Sequence, residues 1–168
     1  MATIDYSGLV KLLIVNNIVF DDNSPLQPWS LVSDIIGLVA PHLTGLSLEI
    51  GDESFADLPH DYVYLHTNIE LPKLKHISMT SKCMQVPLSL VFELLRASPV
   101  NGLESIRIAR CMTNFDSSGW FLISERGGKA LHDLVLSPSI GPNRLAWDEK
   151  CFINGLELVS KSCTELKR

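Results

Sequence analysis

The segment LESIRI, residues 103–108, places apolar side chains at Leu103, Ile106 and Ile108, with polar residues between them. Apolar and polar residues alternate at its end, which is typical of a strand with one buried face. The pattern apolar-x-x-apolar-x-apolar occurs five times, at Leu9/Leu12/Ile14, Leu43/Leu46/Leu48, Leu74/Ile77/Met79, Leu103/Ile106/Ile108 and Leu131/Leu134/Leu136. These are the five pattern copies, and Cys163 with Leu166 begins a truncated sixth.

The spacing of the pattern copies indicates an internal repeat. Their central residues, 12, 46, 77, 106, 134 and 166, are separated by 34, 31, 29, 28 and 32 residues. One short apolar pattern arises easily by chance, whereas five and a half copies at a similar spacing do not. Repeats of this length are typical of stacked supersecondary units.

Three intervals between the copies carry helix signals. PLQPWSLVSDIIGLVAPH (25–42) has prolines near its predicted start and end, and apolar residues at helical spacing. VPLSLVFELLRASP (86–99) follows the same scheme, and WDEKCFINGLELVSKS (147–162) offers Asp148 as an N-cap. The residues at helical spacing in the first helix are Leu31, Ile35 and Leu38. In the last helix we predict that Cys151, Leu156 and Val159 face inward. Two less regular segments, Phe55–Asn68 and Ser118–Lys129, predict only short helices.

A strand followed by a helix cannot bury its own apolar face, but stacked units can share a core. Strands lie about 4.8 Å apart and helices about 8–10 Å, so such a stack curves with its strands inside. We therefore expect an α/β solenoid with a curved parallel sheet inside and helices outside. It comprises about five irregular repeats of 28–34 residues in a single domain, 1–168. The incomplete sixth copy suggests a fragment of a longer array.

The copies GLVKLLIVNN, GLESIRIARC and ALHDLVLSPS resemble leucine-rich repeats, in which Asn or Cys follows the third apolar residue by three positions. Asn17 and Cys111 match that rule, whereas Gly51, Lys82 and Ser139 do not. The long, uneven repeats and the phrases LPKLKHISM and CTELKR look most like the repeat regions of fungal F-box proteins, followed by those of plants. The resemblance implies substrate recognition for a ubiquitin ligase. Because the sequence shows no F-box, the ligase adaptor is an expected partner only if an F-box lies outside this chain.

The predicted concave face of the sheet is the expected binding surface. Its mixture of charge, hydroxyls and a few apolar side chains suits a protein partner. We predict that the contacts come from Lys11, Glu49, His76, Ser78, Arg107, Arg110 and Asp133. The two arginines are the strongest candidates, although a structural role for Arg110 is an equal alternative.

Composition and motifs argue against other classes. A net charge of −5 without a basic cluster argues against nucleic acid, and no apolar run is long enough to span a membrane. Four widely spaced cysteines without C-x-x-C suit reduced thiols in the cytoplasm or nucleus. We expect no enzyme activity, cofactor or metal, because the possible sites are explained more simply as turns, helix ends or buried thiols: His60/Asp61/His66, SERGGKA, DSSGW, Asp21-Asp22, Asp52-Glu53, Cys83 and Cys111. The alternatives are a free-standing scaffold, an immune-receptor-like repeat fragment and, more remotely, an enzyme.

Overall fold

A computed structural model of the chain describes residues 10–18, 27–50, 69–81, 88–111, 115–138 and 149–166. Within these residues, five strands form one parallel sheet in chain order. The strands are Leu12–Ile18 (β1), Gly45–Ile50 (β2), His76–Ser81 (β3), Ser105–Cys111 (β4) and Asp133–Pro138 (β5). The α-helices are Gln27–Val39 (α1), Leu88–Ala97 (α2), Ser117–Gly127 (α3) and Glu149–Ser162 (α4), and short 3₁₀-helices follow α1 at Ala40–His42 and α3 at Gly128–Ala130. The predicted α/β class is therefore confirmed.

Four pattern copies lie in register across the sheet. Leu46 pairs with Ile77, Ile77 with Ile106, and Ile106 with Leu134. The first residue of each of these copies is fully buried, and so are both strand residues in β2, β3 and β4. Together with the inner sides of the helices they form one continuous hydrophobic core.

Backbone hydrogen bonds at the starts of the strands maintain this register. The carbonyl oxygen of Lys11 accepts from Thr44 N and Gly45 N, at 2.8 and 3.0 Å. The oxygens of Thr44, Lys75 and Glu104 each accept two N–H groups from the next segment in the same way. Each junction thus satisfies the backbone groups just before the next strand begins.

The predicted register of the first pattern copy is wrong by one residue. Leu13 and Val15, not Leu12 and Ile14, pair with Leu46 and Leu48, and Val10 takes the preceding core position. Leu12 and Ile14 lie on the opposite face of the sheet and are 59% and 55% exposed. The segment VKLLIV offers apolar residues in both registers, so periodicity alone does not decide between them.

Helix α1 buries a different set of apolar residues from Leu31, Ile35 and Leu38, whose spacing predicted the helix. Val32, Ile36 and Val39 are buried, whereas Leu31 and Leu38 are more than 60% exposed and Ile35 is partly exposed. Both sets have the same helical spacing and differ by one position, so the pattern predicts a helix without identifying its inner side. The boundaries are as expected, because α1 ends at Val39 and Pro41 lies in the 3₁₀-helix that follows.

Helix α3 is more regular than predicted for Ser118–Lys129. It has 11 residues and begins after Asp116, whose Oδ1 accepts a hydrogen bond of 2.9 Å from Gly119 N. It ends at Gly127, followed by Gly128 with a positive φ of 48°. The motif DSSGW is therefore a helix N-cap and SERGGKA a helix end, while the other segment predicted to be short, Phe55–Asn68, lies outside the described residues.

Helix α4 packs closely on α3 at the end of the sheet. Gly155 lies against the indole of Trp120, where a side-chain Cβ would come within 2.2 Å of the ring. Trp120 also contacts Phe115 and Phe152, with ring centroids 5.8 and 5.7 Å away. Close packing against the ring thus requires glycine at position 155.

The remaining predictions for the C-terminal part have mixed outcomes. Val159 is buried as predicted, Cys151 is half-buried, and Leu156 is 44% exposed, so its predicted inward position is wrong. Asp148 lies outside the described residues. Cys163 is buried and Leu166 packs against the core after a turn, but no strand is assigned between them.

Candidate protein-binding surface

One face of the sheet carries side chains that are mainly half-buried or exposed, and we call it the open face. Two rows of residues cross this face. Each row contains one residue from every strand, and neighbours within a row are paired in the register of the sheet. The first row is Leu12, Gly45, His76, Ser105 and Asp133, and the second is Ile14, Ser47, Ser78, Arg107 and Val135. The alternation of side chains along each strand places all ten residues on the face opposite the core.

An ion pair joins β4 to β5 on the open face. Arg107 Nε donates a 2.6 Å hydrogen bond to Asp133 Oδ2, and the Ser105 hydroxyl donates to the same oxygen at 2.9 Å. These bonds, led by that from Arg107, lower the pKa of the Asp133 carboxyl below its usual range. The Arg107 side chain is 61% exposed, so most of it is accessible to a partner.

A second charged group lies at the edge where the strands begin. Lys75 Nζ donates a 2.7 Å hydrogen bond to Glu104 Oε1, and His76 Nε2 lies 4.0 Å from Glu104 Oε2. The bond from Lys75 is the main reason that the pKa of Glu104 is lowered, although partial desolvation opposes it. Lys75 and Glu104 were not predicted as site residues. The sequence does contain a signal for this pair. Lys75 comes one residue before β3 and Glu104 one residue before β4, and the two carry opposite charges.

The β1 end of the open face, opposite the ion pair between β4 and β5, is apolar. The Leu12 side chain extends over Gly45, and a Cβ added to that glycine would lie only 2.8 Å from Leu12 Cδ1. Ile14 stands beside it in the second row. This apolar end results from the corrected register of β1, so sequence analysis missed it.

A shallow groove of about 600 Å³ crosses the open face from Leu12 to Asp133. Four predicted site residues line it: His76, Ser78, Arg107 and Asp133. Lys11 is exposed one residue before β1, and Glu49 is half-buried farther along β2, so neither lines the groove. Arg110 belongs to β4, but its side chain lies outside the described residues.

The groups considered for other chemistry give no further site in the described part of the chain. Among those residues, no three His, Cys, Asp or Glu side chains are grouped closely enough to hold a metal ion. Burial raises the pKa of the Cys163 thiol, and Cys151 Sγ donates to the carbonyl of Phe115 at 3.2 Å. The histidine group 60–66, the acidic pairs at 21–22 and 52–53, and the side chains of Cys83 and Cys111 lie outside the described residues.

A search of the described helices for a membrane span found none with sufficient length and apolar character. Comparison with known proteins identified no matching family model, curated protein or solved structure.

Proposed function

We propose that this chain is a protein-interaction module of the leucine-rich repeat type, and that its partner binds the open face. The observation that carries the proposal is a parallel sheet, in chain order, with one accessible face of mixed polar and apolar character. Parallel sheets usually have both faces covered by helices. A repeat solenoid is the established exception, because its strands line an extended surface used for binding.

The packing of the chain supports stacked strand–helix units. Equivalent residues of four pattern copies pair directly across neighbouring strands. At four junctions, one carbonyl oxygen accepts hydrogen bonds from two N–H groups in the same way. Successive helices also contact one another, α2 with α3 and α3 with α4. Since helices need a wider spacing than strands, this arrangement favours a curved sheet with the open face inside.

The groove favours a protein partner over a small substrate. It is shallow and combines an exposed arginine, hydroxyl groups and one accessible aliphatic side chain, Leu12. Arginine is enriched among the residues that dominate protein interfaces, and hydroxyls adapt easily to different hydrogen-bond partners. We therefore assign the chain a binding role without catalysis.

The specific form that we propose is substrate recognition for a ubiquitin ligase of the F-box type. Its support is the resemblance of the pattern copies to the repeats of F-box proteins, together with the accessible face described above. In this scheme the module holds the target and other subunits transfer ubiquitin. An adaptor protein would bind through an F-box outside this chain.

Cross-linking of the native full-length protein in its own cells tests the binding role. Partners are identified by mass spectrometry for the wild type, Arg107→Glu and the control Arg96→Glu. Arg96 is also exposed but lies at the end of α2 in the helix layer. We expect Arg107→Glu to lose a specific partner that Arg96→Glu retains, with both variants folded by circular dichroism.

The same experiment distinguishes the two levels of the proposal. If the captured partner becomes less ubiquitinated in the presence of Arg107→Glu, and the ligase adaptor is captured as well, the ligase form is supported. Capture that depends on Arg107 but has no effect on ubiquitination would contradict the ligase form and favour a scaffold. Identical partner sets for the wild type and both variants would contradict binding through the open face.

A further inference from the structure

Over its first four residues, the second row of the open face runs from an apolar residue to a cation. Ile14, Ser47, Ser78 and Arg107 pair directly, each with the next, on β1 to β4. The two serines are short and half-buried, whereas Ile14 and Arg107 are more than half exposed. These four residues therefore form a low centre between two taller side chains. Ser47, Ser78 and Arg107 line the groove, and Ile14 stands beside Leu12, which lines its β1 end.

The hydrogen-bond donors near Arg107 favour a partner group that accepts hydrogen bonds. Arg107 carries five N–H donors, of which Nε is used by Asp133. The hydroxyls of Ser47 and Ser78 and the ring of His76 add further possible donors along the groove. Asp133 is the one carboxylate among the described lining residues, and its Oδ2 already accepts two hydrogen bonds. A partner carboxylate is the complementary group, because it accepts well-directed hydrogen bonds from guanidinium.

At the β1 end of the open face, Leu12 of the first row and Ile14 of the second present adjoining aliphatic surface to solvent. A large apolar side chain of the partner would remove this surface from water. Ile14 and Arg107 are separated by three strand spacings, or about 14 Å at roughly 4.8 Å each. An extended chain covers about 13 Å in four residues and returns to the same side after an even number of residues.

We propose that the open face binds an extended protein segment that crosses the strands, with an acidic and a large apolar side chain four residues apart. The acidic side chain accepts hydrogen bonds from Arg107, and the apolar one covers Leu12 and Ile14. The small residues between them leave space for the segment's backbone. This inference rests on the proposed binding function and specifies its partner's chemistry.

Fluorescein-labelled synthetic peptides of about twelve residues test this geometry by fluorescence anisotropy. One set places Leu and Asp four residues apart, in both orders, in a Gly/Ser background. A second set places them three residues apart, which directs the side chains to opposite sides. A third set keeps the spacing of four but carries Asn for Asp or Ala for Leu. We expect the first set, in one of its two orders, to bind about tenfold more tightly than the others.

Variants of the full chain assign each preference to its residue. Arg107→Gln should remove the preference for Asp over Asn while retaining the preference for Leu over Ala. Ile14→Ser should have the opposite effect. Leu38→Ser and Arg96→Gln are matched controls on exposed helix positions and should change neither ratio.

The inference is overturned if affinity does not depend on spacing, if no peptide binds at millimolar concentration, or if Arg107→Gln leaves the preference for Asp unchanged. Such a result leaves the proposed function intact when cross-linking still finds a partner that is sensitive to Arg107. If cross-linking also finds none, the open face is not the binding surface and both proposals fail.

Discussion

The inner strands β2–β4 and the outer strands β1 and β5 carry the same apolar pattern but bury it to different extents. Ile77 and Ile106 are at most 3% exposed, whereas Leu13 and Leu134, at the equivalent positions, are only half-buried. Since all these side chains point to the same face, the difference comes from their neighbours. An inner strand is flanked by a strand on each side, whereas each outer strand pairs with one strand in the described structure.

The comparison shows that a pattern residue determines which way a side chain points, while the stack determines how much it is buried. Stability in repeat arrays depends on the interfaces between neighbours as well as on each unit. We therefore expect the inner strands to contribute more stability. The outer strands and the open face then have greater freedom to vary without unfolding the protein.

The largest expected effect is that of Ile106→Asp at the centre of the sheet. Ile106 is fully buried, and a charge placed there loses its hydration without gaining a partner. We expect a loss of more than about 4 kcal/mol in the free energy of unfolding, enough to prevent soluble expression or cooperative melting. Thermal melting followed by circular dichroism measures the effect.

Val135→Asp is the matched control, since Val135 lies on the open face of β5 and is 43% exposed. Its carboxylate remains hydrated, so the free energy of unfolding should change by about 0.5 kcal/mol or less. Equal damage from both substitutions would mean that the two faces of the sheet are assigned wrongly.

Shortening the side chains at two paired core positions tests the comparison between inner and outer strands directly. Ile106→Ala and Leu134→Ala affect neighbouring strands at paired positions. We expect the first to cost about 2–5 kcal/mol and the second about half as much, because less buried contact is removed. Urea unfolding curves provide both values, and equal costs would contradict a looser outer strand.

Gly155→Ala tests whether the helix layer beside β5 is equally loose. The contact between Gly155 and Trp120 predicts the opposite, because the added methyl group would overlap the indole. We expect destabilisation of about 1–3 kcal/mol, measured by urea unfolding.

The control for this substitution is Gly37→Ala in α1. The added Cβ there would lie 3.6 Å from Ile69 Cδ1, an ordinary contact, and alanine favours a helix more than glycine. We expect Gly37→Ala to be neutral or to stabilise the protein by up to about 1 kcal/mol. If Gly155→Ala is just as mild, Trp120 moves easily and the end of the structure is loose in both layers.

Sequence alone predicts the α/β class and the four strands β2–β5, because their apolar residues occur in only one plausible register. It gives the wrong register for β1, where Leu12, Leu13, Ile14 and Val15 are all apolar, and it does not identify the inner side of α1, where two apolar stripes lie side by side. In each case the choice depends on which residues the neighbouring element contacts. That information is absent from local periodicity.

The sequence likewise predicts part of the candidate binding surface and misses the rest. Alternation along the strands correctly places His76, Ser78, Arg107 and Asp133 on one face. The ion pair between Arg107 and Asp133 was not predicted, because it depends on how two distant segments align. The apolar end at Leu12 and Ile14 was missed for the same reason as the register of β1. Whether these residues bind a partner stays a prediction.

The smallest effect concerns Arg107 on inner strand β4 and Asp133 on outer strand β5. Exposed ion pairs typically contribute about 1 kcal/mol or less, and the exposure of Arg107 places this pair among them. The pKa of Asp133 is lower in the folded protein than in the unfolded chain, mainly because Arg107 donates to it. Folding therefore favours the ionised carboxylate, and the pair stabilises the protein above the usual aspartate pKa of about 3.9.

A double-mutant cycle isolates this coupling from the other effects of each substitution. We expect the free energies of unfolding of the wild type, Arg107→Gln, Asp133→Asn and the double variant to give a coupling of about 0.2–1 kcal/mol at pH 6. The coupling should fall as the pH drops below about 3.9 and through the lower folded pKa, because the carboxylate takes up a proton. Salt at about 1 M should also reduce it. A coupling that persists unchanged in acid and in salt would show that Arg107 and Asp133 stabilise the outer strand by packing rather than by charge.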